Sequence, residues 1–117
     1  MNTDFALIEN FKKLMRIGML YAKSAHDYVF DESVNDMVAV AYLNTASAKF
    51  SAAEALYYSH LDGLGRQDAE EIFHLFDVFM HELLENVRTD HSHQWTSIEY
   101  EKLKDAFEHS VFASVRS

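Results

Sequence analysis

The sequence has no cysteine, no proline and only three glycines among its 117 residues. The lack of cysteine excludes disulfides, thiolate catalysis and cysteine-based metal sites. The lack of proline allows long, uninterrupted helices. Basic residues are scarce as well, because 10 Lys and Arg stand against 19 Asp and Glu, a net charge of −9. Clustered basic residues supply most of the affinity for duplex DNA, so DNA binding is disfavoured.

The chain also lacks long hydrophobic runs. No run of about 18 apolar residues occurs, and the first residues, MNTDFALIENF, lack the basic start and apolar stretch of a secretory signal. Hydrophobic residues make up 49% and charged residues 25%, values typical of globular proteins. We therefore expect a cytoplasmic protein without a membrane segment, in which residues 1–117 form one domain.

Four segments carry apolar residues at alternating spacings of three and four, the pattern of helices that pack along one side. They span about residues 4–30, 34–61, 69–87 and 96–115. Because the connections are short, the sequence predicts an all-α fold, a four-helix up-and-down antiparallel bundle. Gly18 lies on the apolar side of the first helix, which indicates a close helix approach. Gly63 and Gly65 are expected to end the second helix.

The second predicted helix is apolar on two sides. One seam is formed by small residues, Ala41, Thr45, Ala48, Ala52, Ala55 and Ser59, and the other by Leu43, Phe50, Tyr57 and Leu61. Such a helix must be covered on both sides, either at the centre of its own bundle or by a partner chain. Tyr57 and Tyr58 are adjacent, so one of them must face away from the seam, where an interface tyrosine is more typical than a ligand platform. These features predict a homodimer through the second helix.

The third predicted helix has a polar stripe, interpreted first as a solvated face: Glu70, His74, Asp77, His81 and Glu85. Glu71 and His74 have the Glu-x-x-His spacing with which ferritin-like bundles bind metals. A metal-binding bundle using Glu71, His74, Asp77 and His81 is therefore one alternative. The matching ligands are missing from the other helices, since Glu54 is followed three positions later by Tyr57. We assign no metal and no cofactor to the chain.

The stretch RTDHSHQW, residues 88–95, connects the third and fourth helices. Thr96 with Glu99 predicts a capping box, with Trp95 packing on Tyr100 as a hydrophobic staple. Arg88 is explained as a basic residue that closes the third helix, where the helix dipole favours positive charge. The same account applies to His26, near the end of the first helix.

Arg88 and His93 are separated by four residues. Together with the four-helix pattern and the stretch AYLNTASAKFSAAEALYYSHLDGLG, this motif resembles the HEPN family of helical bundles. The resemblance implies a dimeric, metal-independent ribonuclease, or a module that binds RNA or a nucleotide. Arg88 would stabilise phosphate charge, and His93 would act as general acid or base on the ribose 2′-hydroxyl. Other members of the family have no catalytic motif and act as binding or toxin-neutralising modules.

Three functional hypotheses therefore remain. The leading one is a non-catalytic interaction or regulatory module that acts as a homodimer, because every polar residue singled out has a structural explanation. The second is the HEPN-like ribonuclease using Arg88 and His93. The third is the metal-binding bundle of the third helix. Lys12, Lys13 and Arg16 form the only basic cluster on one helix, which is interpreted as a solvated face.

Overall fold

The computed structural model describes residues 3–30, 36–60, 67–89 and 93–110, without the side chains of residues 3–5, 30, 36, 67, 68, 89, 93 and 94. Within these ranges the chain forms four helices: α1 (Thr3–Phe30), α2 (Asp36–Ser59), α3 (Gln67–Thr89) and α4 (His93–Glu108). Gly63, Gly65 and Leu61, expected near the end of the second helix, lie outside the described residues, as does the predicted end of the fourth helix.

The helices form two antiparallel hairpins. α1 packs closely along α2 and α3 packs along α4, while α1 also contacts α4 and α2 contacts α3. Phe11, near the start of α1, stacks on Tyr57, near the end of α2. His26, near the end of α1, stacks on Tyr100 in the first half of α4. The molecule measures 50 × 24 × 21 Å, and the predicted all-α four-helix up-and-down bundle is confirmed.

The core contains most of the residues that the helical spacing places inward. Ile98 is an exception, because it is exposed in α4, whereas Leu103 is buried as expected. The other buried residues include Phe11, Met15, Ala22, Ala25 and Val29 of α1, Leu43, Phe50 and Tyr57 of α2, and Ile72, Phe73, Phe76, Phe79 and Leu83 of α3.

Gly18 is a point of close contact between α1 and α2. A Cβ atom added at Gly18 would lie 2.8 Å from Cε2 of Phe50 and 3.0 Å from Cζ of the same ring. Real Cβ atoms do not come so close to an aromatic carbon, so only glycine leaves room for the ring. The predicted close helix approach at Gly18 is confirmed.

Aromatic rings fill the space between the two hairpins. The ring centroids of Phe50 and Phe76 are 4.4 Å apart. Phe73 makes edge-on contacts with Phe11 at 6.3 Å and with Tyr57 at 5.8 Å. Each such pair contributes about 0.5–1.5 kcal/mol beyond the burial of its area. Aromatic side chains therefore join α2 to α3. They also join α2 to α1, where Tyr42 stacks on Tyr21 and Tyr28.

α4 begins before the capping box predicted at Thr96. The helix begins at His93, so Thr96 lies in its first turn. The buried Thr96 hydroxyl accepts a hydrogen bond from Asn86 Nδ2 at 3.1 Å and donates to the backbone oxygen of Glu82 at 3.4 Å. The predicted staple is wrong as well, because it needs Trp95 to precede the helix, and Trp95 lies inside α4 with its side chain 53% exposed. Thr96 attaches α4 to α3 because a buried hydroxyl needs partners, and α3 provides them.

Candidate functional site

Arg88 lies in the last turn of α3 and is paired within its own helix. Its Nη2 atom donates to both carboxylate oxygens of Glu85, at 2.8 and 2.6 Å, and its side chain is 69% exposed. His93 begins α4, but its side chain lies outside the described residues. The pairing of Arg88 with His93 therefore stays a prediction, which an RNA-cleavage assay comparing the wild type with His93→Ala would test.

The polar stripe of α3 faces solvent. His74, Asp77 and His81 are exposed, and Glu71 is exposed beside them. No group of three or more His, Asp or Glu among the described residues is arranged to hold a metal ion. The interpretation of the stripe as a solvated face is confirmed, and these four residues are not brought together as metal ligands.

A polar cluster joins the end of α1 to the first half of α4. The His26 ring stacks on Tyr100, with centroids 4.4 Å apart and planes inclined by 17°. Its Nε2 atom lies 3.4 Å from Ser97 Oγ, and its Nδ1 atom lies 3.3 Å from Asp27 Oδ1. Lys23 Nζ donates a hydrogen bond of 2.9 Å to Asp27 Oδ2. One histidine therefore contacts both helices.

Burial and hydrogen bonding together set the pKa values of this cluster. Burial lowers the pKa of His26 below 6.5 by more than Asp27 raises it, and it raises the pKa of Tyr100 to about 12. Burial also acts to raise the pKa of Asp27, but hydrogen bonds from Lys23 and His26 outweigh it, so the pKa of Asp27 lies below its ordinary value. Burial of His26 therefore opposes the positive charge that the end of a helix favours.

The contacts run from Ser97 to His26 and from His26 to Asp27. In serine hydrolases, contacts of this kind join a nucleophile, a base and an orienting acid. A general base lies about 2.6–3.2 Å from the atom whose proton it takes, and the distance of 3.4 Å from His26 to Ser97 is longer. The charge of Asp27 is also shared with Lys23, with which it forms an ion pair. What the contacts of this cluster show is that His26 joins α1 to α4.

Sequence reasoning missed this cluster for a simple reason. His26 and Ser97 are 71 positions apart, and no local spacing relates them. The stacked pair of His26 and Tyr100 also depends on how the hairpins meet. The sequence pattern assigned Tyr100 only to the predicted staple with Trp95.

α2 presents a second surface, named here the α2 outer face: Met37, Ala41, Asn44, Ala48, Ser51, Ala52, Ala55, Tyr58 and Ser59, all exposed. It contains no charged residue. Met37 is 82% exposed and Tyr58 is 56% exposed, whereas the neighbouring Tyr57 is 1% exposed. The prediction that one of the two tyrosines faces away from the core is confirmed.

Comparison of the chain with protein-family models, curated proteins and solved structures gave no match. Among the described residues, none of the helices is long and apolar enough to cross a membrane. The α2 outer face is, among the described residues, an uncharged surface that extends from Met37 to Ser59.

Proposed function

We propose that the chain is a non-catalytic interaction module that works as a homodimer, with the α2 outer face as the contact between two copies. The observation that carries this proposal is that the face is exposed and uncharged along the length of α2, in a chain of net charge −9. Two copies with the same net charge repel each other, so they associate most readily through a surface without carboxylates.

The spacing of small residues supports the same contact. Ala41, Thr45, Ala48, Ala52, Ala55 and Ser59 alternate at intervals of four and three along one side of α2. Small side chains let two helices approach to an axis separation of about 8 Å. From Ala41 to Ser59 the seam is about 27 Å long at 1.5 Å per residue. Met37 and Tyr58 provide the larger apolar contacts near its two ends.

In a two-fold symmetric dimer, α2 of each copy contacts α2 of the other. Each α2 is then covered on both sides, by its own bundle on the inner face and by the second copy on the outer face. This arrangement satisfies the requirement that an apolar helix surface be removed from water. Each dimer then has two copies of the surface that is not used in the contact, which suits a scaffold role.

The test is the mass of the particle in solution, measured by light scattering across about a hundredfold range of protein concentration, because dimerisation depends on concentration. We expect the wild type to approach twice the chain mass of 13.5 kDa as concentration rises. Ala52→Glu places one carboxylate per copy in the middle of the contact, so it should shift the protein to single chains while its helical circular dichroism is retained.

Ala6→Glu is the matched control, since Ala6 is an exposed alanine on α1 and receives the same substitution. The control should dimerise like the wild type. A wild type that remains a single chain at every concentration, or an Ala52→Glu variant that dimerises as well as Ala6→Glu, would reject the proposal.

A further inference from the structure

A groove of about 450 Å³ lies between α1 and α4, on a different side of the bundle from the α2 outer face. Met19, Leu20, Tyr100 and Phe107 form its apolar part, and Arg16 and Lys104 stand over it from the two helices. We name this surface the α1–α4 groove. It combines an apolar surface with positive charge in a protein whose net charge is −9.

Two of the three cations that line the groove, Arg16 and Lys104, are available to a ligand. Among the ion pairs of the described residues, none involves Arg16 or Lys104. Lys23, at one end of the groove, is instead bound to Asp27 at 2.9 Å. Glu108 also lines the groove and its side chain is exposed, but none of the ion pairs among the described residues joins it to Arg16 or Lys104. Arg16 and Lys104 therefore provide donors for an anion beside an apolar surface.

The size of the groove favours a small molecule over a protein segment. Its volume of 450 Å³ lies within the range of about 300–1,000 Å³ that is usual for small-molecule pockets. Along α1 it extends from Arg16 to Lys23, about 10 Å at the rise of an α-helix. A peptide helix would need a longer groove to bury several of its turns.

We propose that the α1–α4 groove binds a small amphipathic carboxylate, a ligand with one anionic group and a short apolar chain. The carboxylate accepts hydrogen bonds from Arg16 and Lys104, and the chain packs on Met19, Leu20 and Phe107. Leu20 is 62% exposed, so covering it removes apolar surface from water. This proposal does not depend on the dimer, because none of these residues belongs to α2.

Octanoate is the probe, with octylammonium and octanol as ligands of the same chain length and different charge. Each is titrated into ¹⁵N-labelled wild-type protein, and amide shifts are followed by nuclear magnetic resonance. We expect octanoate to shift amides of α1 and α4 around the groove with saturation, and to bind more tightly than octanol. Octylammonium should bind most weakly, because Arg16 and Lys104 repel it.

The double variant Arg16→Gln/Lys104→Gln should raise the dissociation constant for octanoate about tenfold, the effect of losing roughly 1.4 kcal/mol of charge-assisted hydrogen bonding. Lys13→Gln/Lys102→Gln is the matched control, since it removes two exposed cations from the same two helices outside the groove. The control should bind octanoate nearly as well as the wild type.

Three results would overturn the proposal. One is octanol or octylammonium binding as tightly as octanoate, which would indicate apolar adsorption without charge recognition. The second is equal loss of affinity in the two double variants, which would indicate a general effect of net charge. The third is the absence of saturable shifts around the groove. Circular dichroism of both double variants checks that the bundle remains folded, so a loss of binding is not caused by unfolding.

Discussion

α2 has two apolar faces that the bundle treats in opposite ways. The inner face is buried and includes Leu43, Phe50 and Tyr57, whereas the α2 outer face is exposed and includes Ala48 and Ala52. The faces differ in side-chain volume and in polarity, because the α2 outer face also includes Asn44, Ser51 and Ser59. Aromatic rings bury about 150–250 Å² each, so turning them inward removes far more apolar surface from water than turning alanines inward. Removing the large side chains of the inner face from water therefore favours burial of that face.

The largest expected effect comes from removing the ring at the centre of the inner face. Phe50→Ala should lower the free energy of unfolding by about 3–5 kcal/mol, because it removes buried apolar surface and leaves a cavity. The ring is 2% exposed and packs on Phe76. Denaturant unfolding measures the change.

Ala48→Ser, two residues away on the α2 outer face, is the control for Phe50→Ala and should change the free energy of unfolding by less than about 0.5 kcal/mol. Comparable losses at Phe50 and Ala48 would contradict the assignment of the two faces.

A smaller effect on the free energy of unfolding is expected at Gly18, against which the Phe50 ring of the inner face packs. Alanine forms helices better than glycine by about 1 kcal/mol, so an open helix position would be stabilised by Gly18→Ala. Here the added methyl would meet the Phe50 ring at 2.8 Å, and overpacking costs about 1–3 kcal/mol. We expect net destabilisation of up to about 2 kcal/mol in denaturant unfolding.

A double-mutant cycle with Phe50→Leu tests whether contact with the Phe50 ring causes this loss of stability. In the Phe50→Leu background, Gly18→Ala should be less costly or even stabilising. The same cost in both backgrounds would show that the Phe50 ring is not responsible.

Removing the hydroxyl group from Tyr57 or from Tyr58 compares the two faces of α2 by the same chemical change. Tyr57 Oη donates a hydrogen bond of 2.7 Å to Glu70 Oε2, so Tyr57→Phe should cost about 0.5–1.5 kcal/mol. Tyr58→Phe should leave the free energy of unfolding nearly unchanged, because this ring is 56% exposed. Thermal unfolding of the two variants side by side gives the comparison, and a larger loss for Tyr58→Phe would contradict it.

The smallest expected effect is a dependence on pH that arises away from α2. Burial lowers the pKa of His26 below the 6.5 of an unfolded chain. Below pH 6.5 the unfolded chain binds more protons at this residue than the folded protein does, so stability falls as the pH falls through this window. The groups that face His26 are Asp27, Lys23, Glu101, Ser97 and Tyr100.

The contribution of His26 to this pH dependence is measured by comparing the wild type with His26→Phe. The free energy of unfolding of each is determined between about pH 7.5 and pH 5. The wild type should lose more stability than the variant over this range. The α2 outer face contains no Asp, Glu or His, so its contacts should not titrate directly. Identical pH profiles for the two proteins would show that His26 is not the group responsible.

The helices were largely predictable because their signals are local. The bounds of α1, α2 and α3 agree with the predicted bounds to within two residues, and Gly18 was recognised from its place in the apolar pattern. The start of α4 was not predicted correctly, because Thr96 with Glu99 has the spacing of a capping box. The Thr96 hydroxyl instead bonds to α3, and no local pattern contains that contact.

The sequence by itself determined an all-helical chain, since it has no proline and its apolar residues recur at helical spacing. It also determined that α2 is apolar on two sides. Only the tertiary structure decided which side the bundle buries, which tyrosine of the pair is exposed, and that His26 meets Ser97 and Tyr100. The physical reason is that periodicity reports which residues share a face of one helix, whereas burial depends on the volumes that neighbouring helices contribute.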